Sequence, residues 1–268
     1  MCNLYNMTEK GELERYISSL GRPYYLPEYQ VQKPVGPFGT GVFLRPGEEQ
    51  LVGHVGQWAL IRPGQLERVD WIEDKPEPGK KPKAKRAKST NNARIERLDG
   101  RERPTTATKA WKEGRRCLVP SSWYREPNWE TGRNVWWHLR RADGLPWLIA
   151  GLYNLDWVDQ QSAEIVDSYT MITVNCDSHP MLNRLHRPVR DPKTKEILPM
   201  SQQDKRSLVH IEPANWDTWL RGPADEAYQL LTPPPAEVFD QSDAQQTDEL
   251  LALQERQAAE PQEQQNLL

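Results

Sequence analysis

Several signals of common protein classes are missing from this 268-residue chain. No apolar run approaches the roughly 20 residues that a membrane-spanning helix needs, and the first residues lack the basic and apolar segments of a secretory signal. Three scattered cysteines are too few for a disulfide framework. Neither GxGxxG nor a Walker-type phosphate loop occurs. These absences predict a cytoplasmic protein with no membrane partner and no cofactor.

Acidic residues are concentrated at the C-terminal end. Residues 236–268 hold eight acids and one base, a charge of −7, so the net charge of −3 leaves +4 on the rest. This segment follows three prolines and is rich in glutamine. We expect it to be a disordered tail attached to a single domain at 1–235, because it has too little apolar surface to order itself. A short helix around Leu250–Leu253, packed on a partner, is the alternative.

A basic loop is predicted at residues 74–90. Within it, the ten residues Gly79–Lys88 hold six cations and no acid. The cations are Lys80, Lys81, Lys83, Lys85, Arg86 and Lys88. Like charges at this density are typical of a solvated, extended loop. They also suit contact with a phosphate backbone. The pattern alone does not separate these two interpretations.

Elsewhere, short β-rich runs outnumber helical segments. The runs are Gly41–Leu44, Gly53–Ile61, Arg116–Val119, Val135–Arg140, Leu148–Tyr153 and Tyr169–Val174. The helical segments are Glu9–Leu20 with Thr8 as N-cap, Pro180–Leu185, Ser201–Ser207 and Asn215–Arg221. Because strands and helices do not alternate regularly, we predict an α+β fold with a curved, mostly antiparallel, barrel-like sheet flanked by short helices.

Cys2 is the residue with the most distinctive chemistry. A small residue after Met1 permits removal of that methionine, which would leave a thiol and a free α-amine on one residue. Such a 1,2-aminothiol condenses with an aldehyde to an imine, and the thiol then closes a five-membered thiazolidine ring. An α-amine has a pKa of about 8, so part of it is nucleophilic near pH 7. From this position alone, a cysteine at residue 2 without functional meaning is the favoured interpretation.

Other polar groups lie far along the chain. Asn92, Glu126 and His186 could move the protons that imine formation and ring closure require, or could be ordinary turn and surface residues. Cys176 and His179 have a spacing seen at metal sites, but a lone pair lacks the four ligands of structural zinc, so no metal is predicted. Most of the 11 tryptophans are expected in the core, although Trp58 and others near basic segments could stack on nucleic-acid bases.

Six segments occur in the order found in a known family. They are Met1-Cys2-Asn3, Gln57-Trp58-Ala59-Leu60-Ile61, Asn92-Ala93-Arg94 with Glu96, Arg116-Cys117-Leu118-Val119-Pro120 followed by Glu126, Ala150-Gly151-Leu152-Tyr153, and Thr173 through His186. Together they resemble the SRAP family, the SOS response-associated peptidases, also called abasic site processing proteins. The resemblance spans about residues 2–210.

The resemblance implies a specific activity. Family members expose Cys2 by removing Met1 through self-processing, and bind single-stranded DNA that contains abasic sites. The abasic aldehyde then forms a thiazolidine crosslink that protects the lesion during the DNA damage response. By motif, Asn92 would orient the Cys2 amine, Glu126 would shuttle protons, and His186 would assist opening of the abasic sugar. We expect a monomeric peptidase with crosslinking and lyase-like activity.

The resemblance also implies DNA contacts. Arg94 would hold phosphate, and Trp58, the basic loop and Arg187 would add contacts. The sequence departs from the family at its start, where Cys2-Asn3-Leu4-Tyr5 replaces Cys-Gly-Arg-Phe, and after His186, where residues are inserted. Two other functions remain open: an amidohydrolase with Cys2 as an N-terminal nucleophile, and a non-catalytic module that binds single-stranded DNA.

Overall fold

The computed structural model describes residues 2–30, 34–72, 85–101 and 104–259. Its strands are β1 (Tyr5–Met7), β2 (Tyr24–Tyr25), β3 (Thr40–Pro46), β4 (Leu51–Trp58), β5 (Trp71–Ile72), β6 (Arg86–Ala87), β7 (Asn92–Arg94), β8 (Arg116–Asn128), β9 (Val135–Leu139), β10 (Trp147–Val158), β11 (Ile165–Asn175) and β12 (Arg206–Leu208). Its helices are α1 (Lys10–Ser19), α2 (Thr106–Lys112), α3 (Trp216–Arg221), α4 (Ala224–Gln229) and α5 (Ser242–Ala259). Short 3₁₀ turns connect several of these elements.

Five strands close into a barrel. Neighbours β11, β10, β8, β3 and β4 pair in that order, and β4 pairs back onto β11. Four of the five ladders are antiparallel, while the closing pair of β4 and β11 is parallel. Gly56 permits this closure, since a Cβ there would lie 2.7 Å from the carbonyl oxygen of Asp167. The predicted α+β fold with a curved, mostly antiparallel sheet is confirmed.

The two faces of the barrel wall are both buried. Along β8, Cys117 and Val119 pack in one apolar cluster and Leu118 in the other, as the two-residue period of a strand requires. In the first cluster, Phe43 on β3 contacts Tyr153 on β10 and Tyr169 on β11, and neither of these strands pairs with β3. Because the contacts cross the barrel, this cluster fills its interior. In the second cluster, helices α1 to α4 cover the outer face. This double burial makes β8 a rigid support for the residues at its end.

Helix predictions were partly confirmed. Helix α1 occupies Lys10–Ser19 within the predicted segment, although its N-cap is Glu9 rather than Thr8. Helix α3 likewise matches the predicted segment near its C-terminal end. The predicted helix at Ser201–Ser207 is wrong: a 3₁₀ turn there leads into β12, which extends the sheet beyond β11. Pairing with β11 outweighed local helix propensity at this edge.

The C-terminal segment differs from the disorder expected for 236–268. Residues 236–238 form a 3₁₀ turn, and α5 follows. Phe239 is buried in the barrel cluster, and the Trp137 indole donates a hydrogen bond of 2.8 Å to the Thr247 hydroxyl. The acidic composition concealed this packing, in which the helix buries Ala244 and makes hydrogen bonds with β9, an edge strand. Residues 260–268 lie outside the described part of the chain.

Part of the predicted basic loop also lies outside the described residues, including Lys80, Lys81 and Lys83. Arg86 lies in the two-residue strand β6, which pairs with β5. The side chain of Lys88 forms an ion pair with Asp70 at 3.5 Å. In the described ranges, every helix is too short or too polar to cross a lipid bilayer.

Candidate active site

The N-terminal residues run along the end of β8. Strand β1 pairs antiparallel with β8, with Tyr5 opposite Tyr124. At the preceding residue of the N-terminal segment, the carbonyl oxygen of Leu4 accepts a hydrogen bond of 3.1 Å from the backbone N–H of Arg125. The pairing therefore delivers the start of the chain to the position of Glu126, which the sequence separates from it by more than 100 residues.

Cys2 is held in place through its backbone. Its carbonyl oxygen accepts hydrogen bonds from the side-chain amides of Asn92, at 2.7 Å, and Asn91, at 3.3 Å. The resemblance placed Asn92 on the Cys2 amine, whereas this contact is with the carbonyl group. The Cys2 thiol is fully buried and donates to the carbonyl oxygen of Leu4 at 3.3 Å. Cys2 is therefore fixed on both its backbone and its side chain.

Asn91 also contacts Cys2, although the sequence analysis did not identify it as a candidate site residue. It is fully buried, and its carbonyl oxygen accepts a 2.8 Å hydrogen bond from the Trp58 indole. Strand β7, which begins at Asn92, pairs in parallel with β11 and so anchors both asparagines to the barrel. The doubled Asn91-Asn92 sequence was the available signal.

Burial changes the acid–base properties of this site. It raises the pKa of the Cys2 thiol, and the neighbouring charge of Glu126 raises it further. Burial also raises the pKa of Glu126, whose side chain is almost fully enclosed, to about 7. A carboxyl group with that pKa exchanges protons readily in both directions near neutral pH. At pH 7 the thiol is therefore protonated and Glu126 is poised between its two forms.

His186 lies beside Glu126. Its Nδ1 atom is 3.6 Å from Oε2 of Glu126, and its Nε2 atom is 3.2 Å from the carbonyl oxygen of Arg206. A carbonyl only accepts, so Nε2 carries the hydrogen and Nδ1 presents its lone pair to Glu126. Burial lowers the pKa of His186 to about 4. The imidazole is thus neutral at pH 7.

The backbone at His186 adopts an uncommon conformation. Its φ angle is +63°, in the left-handed region that non-glycine residues occupy at an energetic cost. Its N–H donates to the carbonyl oxygen of Pro127 at 2.6 Å. The buried Lys205 ammonium group donates to the carbonyl oxygens of Leu185 and His186, at 2.5 and 2.8 Å. No motif in the sequence pointed to Lys205.

Trp58 is not available for stacking. The structure buries its side chain completely and uses its N–H in the hydrogen bond to Asn91. The predicted contact of this ring with a DNA base is therefore corrected: the strand that carries Trp58 closes the barrel, and the ring packs edge-on against Tyr5. Its observed role is to support the residues that hold Cys2.

The cationic candidates have diverse surroundings. One guanidinium nitrogen of Arg94 donates to both carboxylate oxygens of Asp204, at 2.7 and 2.6 Å. Arg187 is exposed, and its guanidinium lies 3.9 Å from the ring centre of Trp129. Lys85, Arg86 and Lys88 are exposed near the end of the basic loop.

A cavity of about 580 Å³ adjoins Cys2 through Asn92. Its lining residues are Leu60, Lys88, Ser89, Thr90, Asn92, Ala93, Arg94, Arg97, Pro104, Thr105, Thr106, Ala107 and Thr170. The cavity thus brings together three of the predicted site residues, Lys88, Asn92 and Arg94, with the side chains of several serine and threonine residues. Within the described ranges, no cluster of three or more histidine, cysteine, aspartate or glutamate residues is arranged to hold a metal ion.

Comparisons with known proteins agree with this architecture. The family model described as SOS response associated peptidase (SRAP) matches residues 62–247. A crystal structure of a protein from Bordetella bronchiseptica is 27% identical, with a TM-score of 0.65, and the match covers 89% of this chain and 97% of that chain. A search of curated proteins gave no match.

Two further solved structures share the fold at lower identity. A protein from Bacteroides thetaiotaomicron is 18% identical, with a TM-score of 0.56, over 89% of this chain and 90% of that chain. A phage-related protein from Bordetella bronchiseptica is 15% identical, with a TM-score of 0.50, over 89% and 92% of the two chains. Because the family model matches more than half of the chain, the chain belongs to the SRAP family, which has a general role in binding abasic sites in response to DNA damage.

Proposed function

We propose that this protein captures abasic sites in single-stranded DNA by forming a thiazolidine through Cys2 after Met1 has been removed. The observation that carries the proposal is the 2.7 Å hydrogen bond from Asn92 to the Cys2 carbonyl oxygen, which fixes Cys2 beside the buried Glu126. An N-terminal cysteine, a carboxyl group with a pKa near 7 and a neutral imidazole are the groups that this chemistry needs.

Processing comes first. Hydrolysis of the Met1–Cys2 peptide bond consumes one water molecule and frees the Cys2 α-amine. In the proposal, ionised Glu126 takes a proton from the attacking group and returns it to the departing amine. Because the pKa of Glu126 is about 7, both its proton-accepting and its proton-donating forms are populated at neutral pH.

Capture follows in two bond-forming steps. The Cys2 amine attacks the aldehyde carbon of the open abasic sugar, and one water molecule leaves as the imine forms. The Cys2 sulfur then bonds to the imine carbon, while the thiol proton passes to the nitrogen through Glu126. His186 remains neutral and presents its Nδ1 lone pair, which suits hydrogen bonding to a sugar hydroxyl or to protonated Glu126.

The DNA strand is proposed to pass the cavity beside Asn92. Arg94 and Lys88 line this cavity and would contact phosphates by exchanging their ion pairs with Asp204 and Asp70. Exposed Arg187 lies on the chain directly after His186. The other cations of the basic loop, Lys80, Lys81, Lys83, Lys85 and Arg86, remain proposed phosphate contacts. The protein is proposed to act as a monomer.

The decisive experiment incubates Met1-free protein, verified by intact mass, with single-stranded DNA that carries one abasic site. We expect an adduct that survives denaturation and has the combined mass of protein and DNA minus one water. Cys2→Ala should abolish the adduct, while Cys117→Ala, which removes another fully buried thiol, should retain it. A tetrahydrofuran analogue without an aldehyde should form none.

The competing functions predict different results. A DNA-binding module would give salt-sensitive binding that survives Cys2→Ala and no adduct. An amidohydrolase would form a thioester with an amide substrate. Met1-free protein that forms no adduct with abasic DNA would refute the proposal.

A further inference from the structure

We propose that Lys205 is a positioning residue for the His186–Glu126 pair, holding the backbone of His186 in its left-handed conformation and placing a fixed positive charge near its imidazole. The expected effect on the rate of adduct formation rests on the proposed function. The effect on the titration of His186 can be tested without DNA. Lys205 does not touch the reacting atoms in the proposal. It acts through His186.

The geometry of the ammonium group carries the argument. Lys205 is only 4% exposed, yet its Nζ atom bonds to two consecutive carbonyl oxygens, those of Leu185 and His186. These carbonyls flank the backbone whose φ angle is +63°. Two charge-assisted hydrogen bonds favour this conformation over the common one, in which the two carbonyls would point in other directions.

Lys205 is itself firmly placed. Its backbone N–H donates to the Asp177 carboxylate at 2.6 Å, and its carbonyl oxygen accepts from the N–H of Cys176 at 2.9 Å. Asn128 supports the same turn, since its side-chain amide donates to the carbonyl oxygen of Arg184 at 3.1 Å. The ammonium group thus links the anchored backbone of Lys205 to the anchored turn at Leu185 and His186, and both ends of this link are fixed.

The charge of Lys205 adds an electrostatic effect. Burial is the main reason for the low pKa of His186, and the positive charges of the chain's N-terminus and, to a smaller extent, of Lys205 lower it further. The charged and titratable groups that act on Lys205 itself are Cys176, Asp177 and Glu130, while burial lowers its own pKa. A second proton on His186 is therefore opposed both by burial and by a fixed neighbouring cation.

The first test follows His186 by NMR titration of the imidazole carbon signals, assigned with His186→Gln. Lys205→Met removes the charge and its hydrogen bonds at similar volume. Lys205→Gln removes the charge but keeps a donor, so it serves if the methionine variant fails to fold. In either variant the pKa of His186 should rise by about 0.5 unit or more, and Lys205→Arg should restore the wild-type value.

Lys195→Met is the matched control. Lys195 also donates to a backbone carbonyl, that of Pro192 at 2.7 Å, but it is exposed. Its replacement should leave the His186 titration unchanged. An unchanged His186 titration in folded Lys205→Gln or Lys205→Met would overturn the proposal, whether or not the protein forms adducts.

The second test measures single-turnover adduct formation with saturating abasic DNA, and binding to the tetrahydrofuran analogue. Lys205→Met should slow adduct formation about tenfold while affinity for the analogue stays within about twofold, because a displaced catalytic group affects rate more than binding. Lys205→Arg should recover most of the rate. Equal loss in the methionine and arginine variants would contradict the positioning role, whereas absence of adduct in the wild type would count against the proposed function alone.

Discussion

The buried carboxyl group of Glu126 makes a quantitative prediction about stability. Its pKa rises from 4.5 to about 7 on folding because burial disfavours the charged form. The folded state therefore binds this proton more tightly than the unfolded state. The resulting stabilisation is complete below pH 4.5 and is lost as the pH rises through 7. Since one pKa unit corresponds to about 1.4 kcal/mol, the loss amounts to about 3 kcal/mol.

Glu126→Gln removes this titration while keeping the shape of the side chain. The free energy of unfolding of the variant, relative to wild type, should therefore increase by about 3 kcal/mol between pH 4.5 and pH 8. The lowered pKa of His186 has the opposite effect, because the stability of the folded protein falls as the pH decreases from 6.5 to 4. This contribution is present in both proteins, so it largely cancels in the difference between their free energies of unfolding.

Urea unfolding followed by tryptophan fluorescence at several pH values provides the measurement. Intact mass must show the same N-terminal residue in both proteins, since the substitution is also expected to slow Met1 removal. Parallel stability curves for wild type and Glu126→Gln across pH 4.5–8 would refute the reasoning, because they would mean that the carboxyl group is not buried in its neutral form.

Two further predictions concern supporting residues. Trp58→Phe should lower the free energy of unfolding by about 1–3 kcal/mol through loss of the hydrogen bond to Asn91, yet leave affinity for undamaged single-stranded DNA within about twofold. Urea denaturation and fluorescence anisotropy measure these effects, and a large loss of affinity at unchanged stability would restore a stacking role. Deleting residues 241–268 should uncover Trp137 and cost about 2 kcal/mol or more, and an unchanged urea midpoint would show that α5 does not pack there.

The barrel was predictable because alternating apolar runs and turn residues are local signals. Its closure was not, since the pairing of β4 with β11 depends on Gly56 meeting a backbone more than 100 residues away. Helix α5 exceeds the short helix that the sequence offered as an alternative to disorder. Its hydrogen bonds with β9 are contacts that composition does not reveal.

The candidate site shows the same division. The chemical types of Cys2, Asn92, Glu126 and His186 suggested a site before any geometry was known, and the structure brings these residues together. Lys205 could not be found in this way. A buried lysine looks like a surface lysine in sequence, and its importance arises only from the two carbonyl groups that the fold turns towards it.

The enclosure of Cys2 has a consequence for chemical selectivity in the cell. Oxidants and alkylating agents attack the thiolate form of cysteine, and access to the sulfur limits the reaction further. A fully buried thiol with a raised pKa is therefore a poor target for peroxide or for small electrophiles. In the proposed reaction, the aldehyde first bonds to the neighbouring amine, which brings its carbon to the sulfur and avoids both barriers. On this proposal, the fold keeps Cys2 intact until the protein meets an abasic site.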